Sequence, residues 1–256
     1  MSAAYAIETI GLTKEFKGFT AVNAVNLKVA PGTTHALIGP NGAGKTTCFN
    51  LITKFLQPTS GRILYKGQDI TGLAPHAVAR MGLVRSFQIS AVFPHLTVLE
   101  NVRVALQRSL GSSYRFWRPQ SDVEVLNDRA MQLLDDVGVK SYADLPAVEL
   151  PYGRKRALEI ATTLALEPDM LLLDEPMAGM GQEDIQRIST LIKTIAKNRT
   201  VLMVEHNLSV VANLSDRITV LARGEVLAEG TYAEVSGNPA VVEAYMGTGN
   251  EGVTHA

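Results

Sequence analysis

The chain has 256 residues, 46% of them hydrophobic, and its 24 lysines and arginines nearly balance 25 aspartates and glutamates. This length accommodates one large core or two closely packed subdomains, and the balanced charge shows no basic excess that would favour a nucleic-acid partner. The single cysteine, Cys48, excludes an internal disulfide and is typical of a reducing compartment.

The N-terminal part predicts strands. Loosely alternating apolar residues within 5–30 predict two or three antiparallel strands, and another follows at 61–66. We expect these segments to form an antiparallel β-subdomain. Phe16 lies between the first strands, and its residue type suits either packing in the core or at an edge, or stacking on a nucleotide base. The sequence leaves both roles open.

A glycine-rich loop follows the predicted strand His35–Ile38 and precedes a helical pattern that begins at Cys48. The loop is Gly39-Pro40-Asn41-Gly42-Ala43-Gly44-Lys45-Thr46-Thr47, which matches G-x-x-x-x-G-K-[ST]. Glycines let the backbone turn its N–H groups toward phosphate oxygens, and the helix N-terminus adds partial positive charge. We expect Lys45 to reach the β- and γ-phosphates and Thr46 to bind Mg²⁺. The alternative is a glycine-rich turn with a chance lysine.

The next segments continue this α/β pattern and then become helical. Leu83–Phe87 predicts a strand that ends at Gln88. Beyond it, Thr97–Glu100 and Ser121–Glu124 match capping boxes and predict the starts of two helices. The aromatic insert 109–121 suits a surface loop that packs on its own side chains, or a contact for another protein. We expect 89–156 to be a helical subdomain inserted into the core.

Two continuous apolar runs predict strands buried on both faces. Met170–Leu173 is followed by Asp174 and Glu175, and Val201–Val204 is followed, after one residue, by His206. The carboxyl ends of adjacent parallel strands face the same crevice, so we expect these side chains near the phosphate loop.

These polar residues suit phosphate chemistry. Asp174 would hold Mg²⁺ through water, Glu175 would orient the attacking water, and His206 would donate a hydrogen bond to the γ-phosphate. Ordinary turns also contain acidic residues at strand ends, and a lone histidine there is often solvated. The combination with the phosphate loop favours the functional interpretation.

The remaining patterns complete one domain over 1–256. They predict helices and strands in this order: Gly153–Leu166, Gln182–Lys197, Ile218–Leu221, Glu225–Ala228 and 239–246. We expect 31–88 and 157–247 to form the nucleotide-binding core.

Together these residues resemble an ATP-binding cassette (ABC) ATPase subunit over about 5–247. The resemblance implies an α/β fold: a P-loop NTPase (RecA-like) core, an N-terminal antiparallel β-subdomain and an inserted helical subdomain. It also implies ATP and Mg²⁺ as ligands. Phe16 would stack on adenine, Val22 would join the nucleotide-binding residues, and Gln88 would touch Mg²⁺ and relay nucleotide state to a membrane partner. Thr46, Gln88 and Asp174 would be the metal residues, and His206 the switch histidine.

In this family two subunits enclose two ATP molecules, each under the other subunit's signature motif. The motif is usually Leu-Ser-Gly-Gly-Gln, whereas here the aligned residues are Leu150, Pro151, Tyr152, Gly153 and Arg154. The serine hydroxyl is missing and Pro151 has no N–H, but the N–H groups of Tyr152 and Gly153 remain available for phosphate.

A basic run and one further departure from the family's pattern accompany the signature motif. The run Arg154–Arg156 puts three cations in a first helical turn, where they would answer phosphate charge or form a solvated basic face. After the acidic strand end, Gly181 stands where the family usually has an aspartate. The missing serine and the missing aspartate bear on the rate of hydrolysis and on whether the two sites are equivalent.

A finer resemblance is to importers of branched-chain (hydrophobic) amino acids, specifically the longer of their two ATPase subunits. It is carried by 21–27, 93–101, 150–153, 228–230 and 242–247. It implies a second ATPase subunit, identical or a sister chain, two membrane permease subunits and, indirectly, a periplasmic or extracellular solute-binding protein. No nucleic acid is implied.

We therefore expect a peripheral ATPase on the cytoplasmic side of the inner (plasma) membrane. No signal peptide is evident, and no apolar run approaches the ~18 residues that cross a bilayer. Alternatives are a non-transport ABC ATPase acting on DNA or ribosomes, a catalytically weak regulatory subunit and, more distantly, a small-molecule kinase.

Overall fold

The computed structural model describes residues 5–86, 92–109 and 120–246. Gln88 and most of the insert 109–121 lie outside this part. The described strands pair in two sheets. They are β1 Ile7–Phe16, β2 Phe19–Val25, β3 Lys28–Val29, β4 Thr34–Ile38, β5 Ser60–Tyr65, β6 Gln68–Asp69, β7 Leu83–Ser86, β8 Met170–Asp174, β9 Thr200–Val204, β10 Arg217–Ala222 and β11 Glu225–Gly230.

The first sheet is antiparallel and has the order β2-β1-β5-β6, with β3 also paired to β1. Side-chain alternation along β1 buries Ile7 and Thr9 and leaves Ile10 exposed, and a register shift after Ile10 then lets Leu12 point into the core. The predicted antiparallel strands at the N-terminus are confirmed, as is their pairing with the strand after residue 60.

The second sheet has the order β11-β10-β4-β9-β8-β7. Its strands from β10 to β7 pair in parallel, and β11 is antiparallel to β10. Every residue of β4, β8 and β9 is buried, which explains their continuous apolar runs. Because β4, β9 and β8 are neighbours, the residues after them meet at one edge of the sheet.

Helices cover both faces of the parallel sheet or pack on one another. They are α1 Lys45–Ile52, α2 Pro75–Arg80, α3 Val98–Ser109, α4 Gln120–Asp136, α5 Tyr152–Leu164, α6 Gln182–Ala196, α7 Leu208–Leu214, α8 Tyr232–Ser236 and α9 Pro239–Met246. Two 3₁₀ turns, Lys140–Tyr142 and Ala147–Glu149, lie between α4 and α5. Among the described residues, no helix combines the length and apolar character that crossing a bilayer requires.

The two predicted capping boxes have different outcomes. The Thr97 hydroxyl accepts from the Glu100 N–H at 3.1 Å, and the Glu100 carboxylate accepts from the Thr97 N–H at 2.8 Å, so the first box is confirmed. The helix that the second box predicts is confirmed as α4, while the side chains of that box lie outside the described residues. The α3 helix packs against α4 and α5, so residues on both sides of the insert share one core cluster.

Candidate functional site

The phosphate loop lies between β4 and α1 and is packed against two other strands. A Cβ on Gly39, whose φ is +150°, would lie 2.1 Å from the carbonyl oxygen of Leu221 on β10. A Cβ on Gly44, with φ +95°, would lie 2.4 Å from the carbonyl oxygen of Ala21 on β2. Glycine is therefore required at both ends of the loop by backbone conformation and by space.

Backbone N–H donors lie at the N-terminus of α1. Gly44 is the N-cap residue and contributes no side-chain hydrogen bond, and the Cys48 N–H donates to the Gly44 oxygen at 2.8 Å as the helix begins. The N–H groups of Lys45, Thr46 and Thr47 precede that bond, as expected at a helix start. Such a terminus binds anions, which fits a phosphate group.

Lys45 is 5% exposed, and its ammonium group contacts the loop itself. The Nζ donates to the carbonyl oxygens of Gly39 at 2.7 Å and Pro40 at 2.9 Å. Burial lowers the pKa of Lys45, and the carboxylate of Glu175 opposes this by raising it. The lysine therefore lies inside the loop, near the acidic end of β8.

The structure brings the two predicted catalytic residues together. Glu175 follows β8 and has φ +44°, an uncommon conformation for a residue with a side chain. Its N–H donates to the Val204 oxygen at 2.9 Å, which ties it to the end of β9. Nε2 of His206 lies 2.9 Å from Oε1 of Glu175. One strand end thus positions the carboxylate, and the next positions the imidazole hydrogen-bonded to it.

Asp174, the predicted metal residue, ends β8 and is completely buried. Its Oδ2 accepts a hydrogen bond from Nη2 of Arg85 on β7. Its Oδ1 is also buried and has no hydrogen-bond partner in the part of the chain that the structure describes. A buried acceptor with spare capacity fits the binding of a metal-bound water.

Glu205 is a buried residue whose structural role was not predicted from the sequence. One of its carboxylate oxygens accepts from the Met177 N–H at 3.0 Å, and the other from the N–H groups of His206 at 3.0 Å and Asn207 at 3.2 Å. Glu205 therefore connects the segments that follow β8 and β9. The signal was an ionisable residue directly after an apolar strand.

The predicted signature segment forms the start of α5. Pro151 is the N-cap residue, Leu150 before it is buried, and Tyr152 is the first helical residue. The Tyr152 hydroxyl donates to the Ala178 oxygen at 3.0 Å. The aromatic residue at the usual glycine position thus ties the segment to the turn after β8.

Gly153 lies against the α6 helix. A Cβ on Gly153 would lie 2.3 Å from the carboxyl carbon of Asp184, so a side chain there would displace that carboxylate. Gly181, which stands at the usual aspartate position, is the N-cap residue of α6 and provides no side-chain cap.

Neither interpretation of the Arg154–Arg156 run describes Arg156 correctly. Arg156 is 7% exposed, pairs with Glu159 at 2.6 Å, and donates to the Asp174 backbone oxygen at 3.1 Å. Arg154 donates to the Gly138 oxygen at 2.8 Å. Arg156 is buried because α5 packs on the parallel sheet, which the local sequence did not show.

The other predicted nucleotide-binding residues have different environments. Phe16 is 42% exposed, which excludes core packing, and the Lys14 ammonium lies 5.2 Å from its ring centroid. Val22 is fully buried, and its Cγ2 would lie 3.5 Å from a Cβ on Gly44. Gln88 lies outside the described residues.

Comparisons with known proteins agree with this geometry. The family model described as ABC transporter matches residues 22–178, and the one described as branched-chain amino acid ATP-binding cassette transporter matches residues 225–250. The chain is 41% identical to the high-affinity branched-chain amino acid transport ATP-binding protein BraF of Pseudomonas aeruginosa, over 94% of this chain and 97% of BraF.

Solved structures show the same fold. MJ1267, an ATP-binding cassette of an ABC transporter in its ADP conformation, superposes with a TM-score of 0.84 at 32% identity, covering 94% of this chain and 98% of MJ1267. A dimeric post-hydrolysis state of the cassette MJ0796, bound to ADP and Pi, gives a TM-score of 0.75 at 26% identity, with coverage of 88% and 98%.

Proposed function

Because the chain belongs to the ABC transporter family, we propose that it is the ATP-binding and ATP-hydrolysing subunit of an importer for branched-chain amino acids or a related small solute. The observation that carries this proposal is the Glu175–His206 pair. His206 follows β9, which pairs with the strand that bears a complete phosphate loop, and Glu175 follows β8, which pairs with β9. The relative BraF supports the class of solute.

Each side chain has a chemical task in this proposal. The backbone N–H groups at the start of α1 bind phosphate oxygens, and Lys45 exchanges its two loop carbonyls for phosphate. Glu175 accepts the proton of the attacking water, and His206 holds that carboxylate in position through their hydrogen bond. Mg²⁺, which Thr46 and Asp174 would hold, neutralises charge on the phosphates when bound.

A second ATPase subunit completes each site in this proposal. The exposed Tyr152 and the N–H of Gly153 stand at the start of α5, where a helix N-terminus can face the phosphates of an ATP bound to the other chain. The dimeric state of MJ0796 supports such pairing. The partner is either a second copy or a sister chain that has the serine missing here.

Membrane permease subunits are the other proposed partners. A cleft of about 400 Å³ between α2, β7 and α3 is mainly apolar, and the exposed side chains of Phe55, Phe93 and Val104 contribute to its walls. Exposed aromatic and aliphatic side chains gathered in one cleft favour a protein contact. We place the subunit on the cytoplasmic side of the membrane, docked onto those partners, with the solute-binding protein on the far side.

The test is the variant Glu175→Gln in the presence of both ATPase subunits. It should bind ATP as well as the wild type, while phosphate release falls by about 10²–10⁴-fold, as expected for a lost general base. The matched control is Glu183→Gln, an exposed glutamate on α6, which should retain activity. Wild-type turnover in Glu175→Gln would refute the assignment.

Lys45→Ala should abolish tight ATP binding, and an unchanged affinity would contradict the role of the loop.

A further inference from the structure

Arg85 on β7 contacts two other elements of the site, α1 and β8. Its Nη1 donates to Oδ1 of Asn50 on α1 at 2.6 Å, and its Nη2 donates to Oδ2 of Asp174 on β8. Only 11% of the arginine side chain is exposed. The guanidinium thus bridges the helix that follows the phosphate loop and the strand that ends in the predicted metal residue.

Two aromatic rings lie close to the guanidinium. The guanidinium carbon lies 5.2 Å from the ring centroid of Phe49 and 5.6 Å from that of Phe55. Stacking of this kind suits a planar guanidinium far better than a lysine ammonium. Arg85 is therefore fixed by ring contacts as well as by two hydrogen bonds, and it can fix the carboxylate that it touches.

Because of the contact with Arg85, the two carboxylate oxygens of Asp174 have different surroundings. Arg85 occupies Oδ2, whereas Oδ1 is buried and has no hydrogen-bond partner among the described residues. A carboxylate held in this way presents one oxygen in a defined direction. Hydrogen bonds from residues behind a metal-binding carboxylate typically contribute 10–100-fold to metal affinity.

We propose that Arg85 is a positioning residue that holds the Asp174 carboxylate so that Oδ1 serves the Mg²⁺ bound with ATP. This inference rests on the proposed function, because it requires that the chain binds Mg·ATP. It assigns Arg85 no contact with the nucleotide. Replacing Arg85 should therefore reduce the increase in ATP affinity that Mg²⁺ produces. The affinity for ATP without metal should stay the same.

The experiment compares ATP affinity by calorimetry with excess Mg²⁺ and with EDTA. In Arg85→Met, which keeps an apolar stem near the rings, the ratio of the two affinities should fall by about 10–100-fold, with the EDTA value unchanged. Arg85→Lys should lose part of the ratio, because an ammonium cannot make both hydrogen bonds in one plane. The control Arg62→Met, an exposed arginine on β5, should behave as wild type.

Two outcomes would overturn the proposal: a folded Arg85→Met with an unchanged ratio, which includes equal losses in both conditions, or a further loss when Arg85→Met is added to Asp174→Asn. The last follows because a residue that acts through Asp174 has nothing left to act on. If Arg85→Met does not fold, the partial loss in Arg85→Lys decides. Wild-type protein that fails to bind ATP would instead refute the proposed function.

Discussion

Replacing Gly39 by alanine tests whether the phosphate loop is positioned by its contact with β10. An added Cβ would lie 2.1 Å from the Leu221 carbonyl oxygen, 3.1 Å from its carbonyl carbon and 3.2 Å from the Ala43 Cβ. The first contact involves the backbone of a central strand, which cannot rotate away as a side chain would. Gly39→Ala should therefore move the loop or β10.

The expected loss of folding stability in Gly39→Ala has two parts. The backbone conformation at φ +150° is essentially restricted to glycine, and holding another residue there costs about 1–3 kcal/mol. Overpacking in a well-filled core adds about 1–3 kcal/mol. We therefore expect Gly39→Ala to lower the free energy of unfolding by about 2–6 kcal/mol, the sum of these two ranges.

The matched control is Gly42→Ala in the same loop. Gly42 also has positive φ, +76°, but a Cβ there would meet nothing within 4 Å. Only the left-handed backbone then contributes, at about 1–2 kcal/mol. Urea denaturation of the nucleotide-free protein measures both variants. Equal losses for Gly39→Ala and Gly42→Ala would refute the argument that the β10 contact positions the loop.

Two further predictions concern buried ionisable groups. Arg156→Met leaves the carboxylate of Glu159, which is 7% exposed, buried without its partner, so urea denaturation should show that the free energy of unfolding falls by about 3–5 kcal/mol. In the control Arg187→Met, where the arginine is more exposed, the free energy of unfolding should fall by less than about 1 kcal/mol. Similar losses in the two variants would contradict the prediction. Burial lowers the pKa of His35 to about 4. Below about pH 6.5 the unfolded chain therefore binds a proton at this residue that the folded chain does not bind. The free energy of unfolding should consequently fall as the pH drops toward 4. In His35→Gln this part of the pH dependence should disappear, and an unchanged slope between pH 6.5 and 4 would refute it.

The parallel sheet was predictable because its strands are buried on both faces. Runs such as Met170–Leu173 and Val201–Val204 have no polar face, and the structure confirms both as strands. The α7 helix was missed although Asn207 precedes it, and the Asn207 side chain accepts from the N–H groups of Ser209 and Val210. Its 7 residues are too few for helical periodicity to stand out from a loop.

The site was predictable where its residues follow strands directly. Glu175 and His206 were expected at one sheet edge and lie 2.9 Å apart. Arg85 could not be found in this way, because its contact with Asp174 spans 89 positions and depends on β7 pairing with β8. Arg156 was misjudged for a related reason: local sequence does not show which side of a helix packs on a sheet.

The first peptide of the phosphate loop shows why the site needs the far end of the chain. Burial raises the pKa of Tyr245 on α9, and an interaction with the backbone of Gly39 counters that rise, so α9 lies beside the start of the loop. The carbonyl of Gly39 accepts from Lys45, and its Cα abuts Leu221. When Lys45 turns to a phosphate, the carbonyls of Gly39 and Pro40 lose this donor, while the contact of Gly39 with Leu221 remains. The reorganisation that binding requires is thus confined to one side chain, and a loop that keeps its shape while one lysine moves loses little entropy on binding.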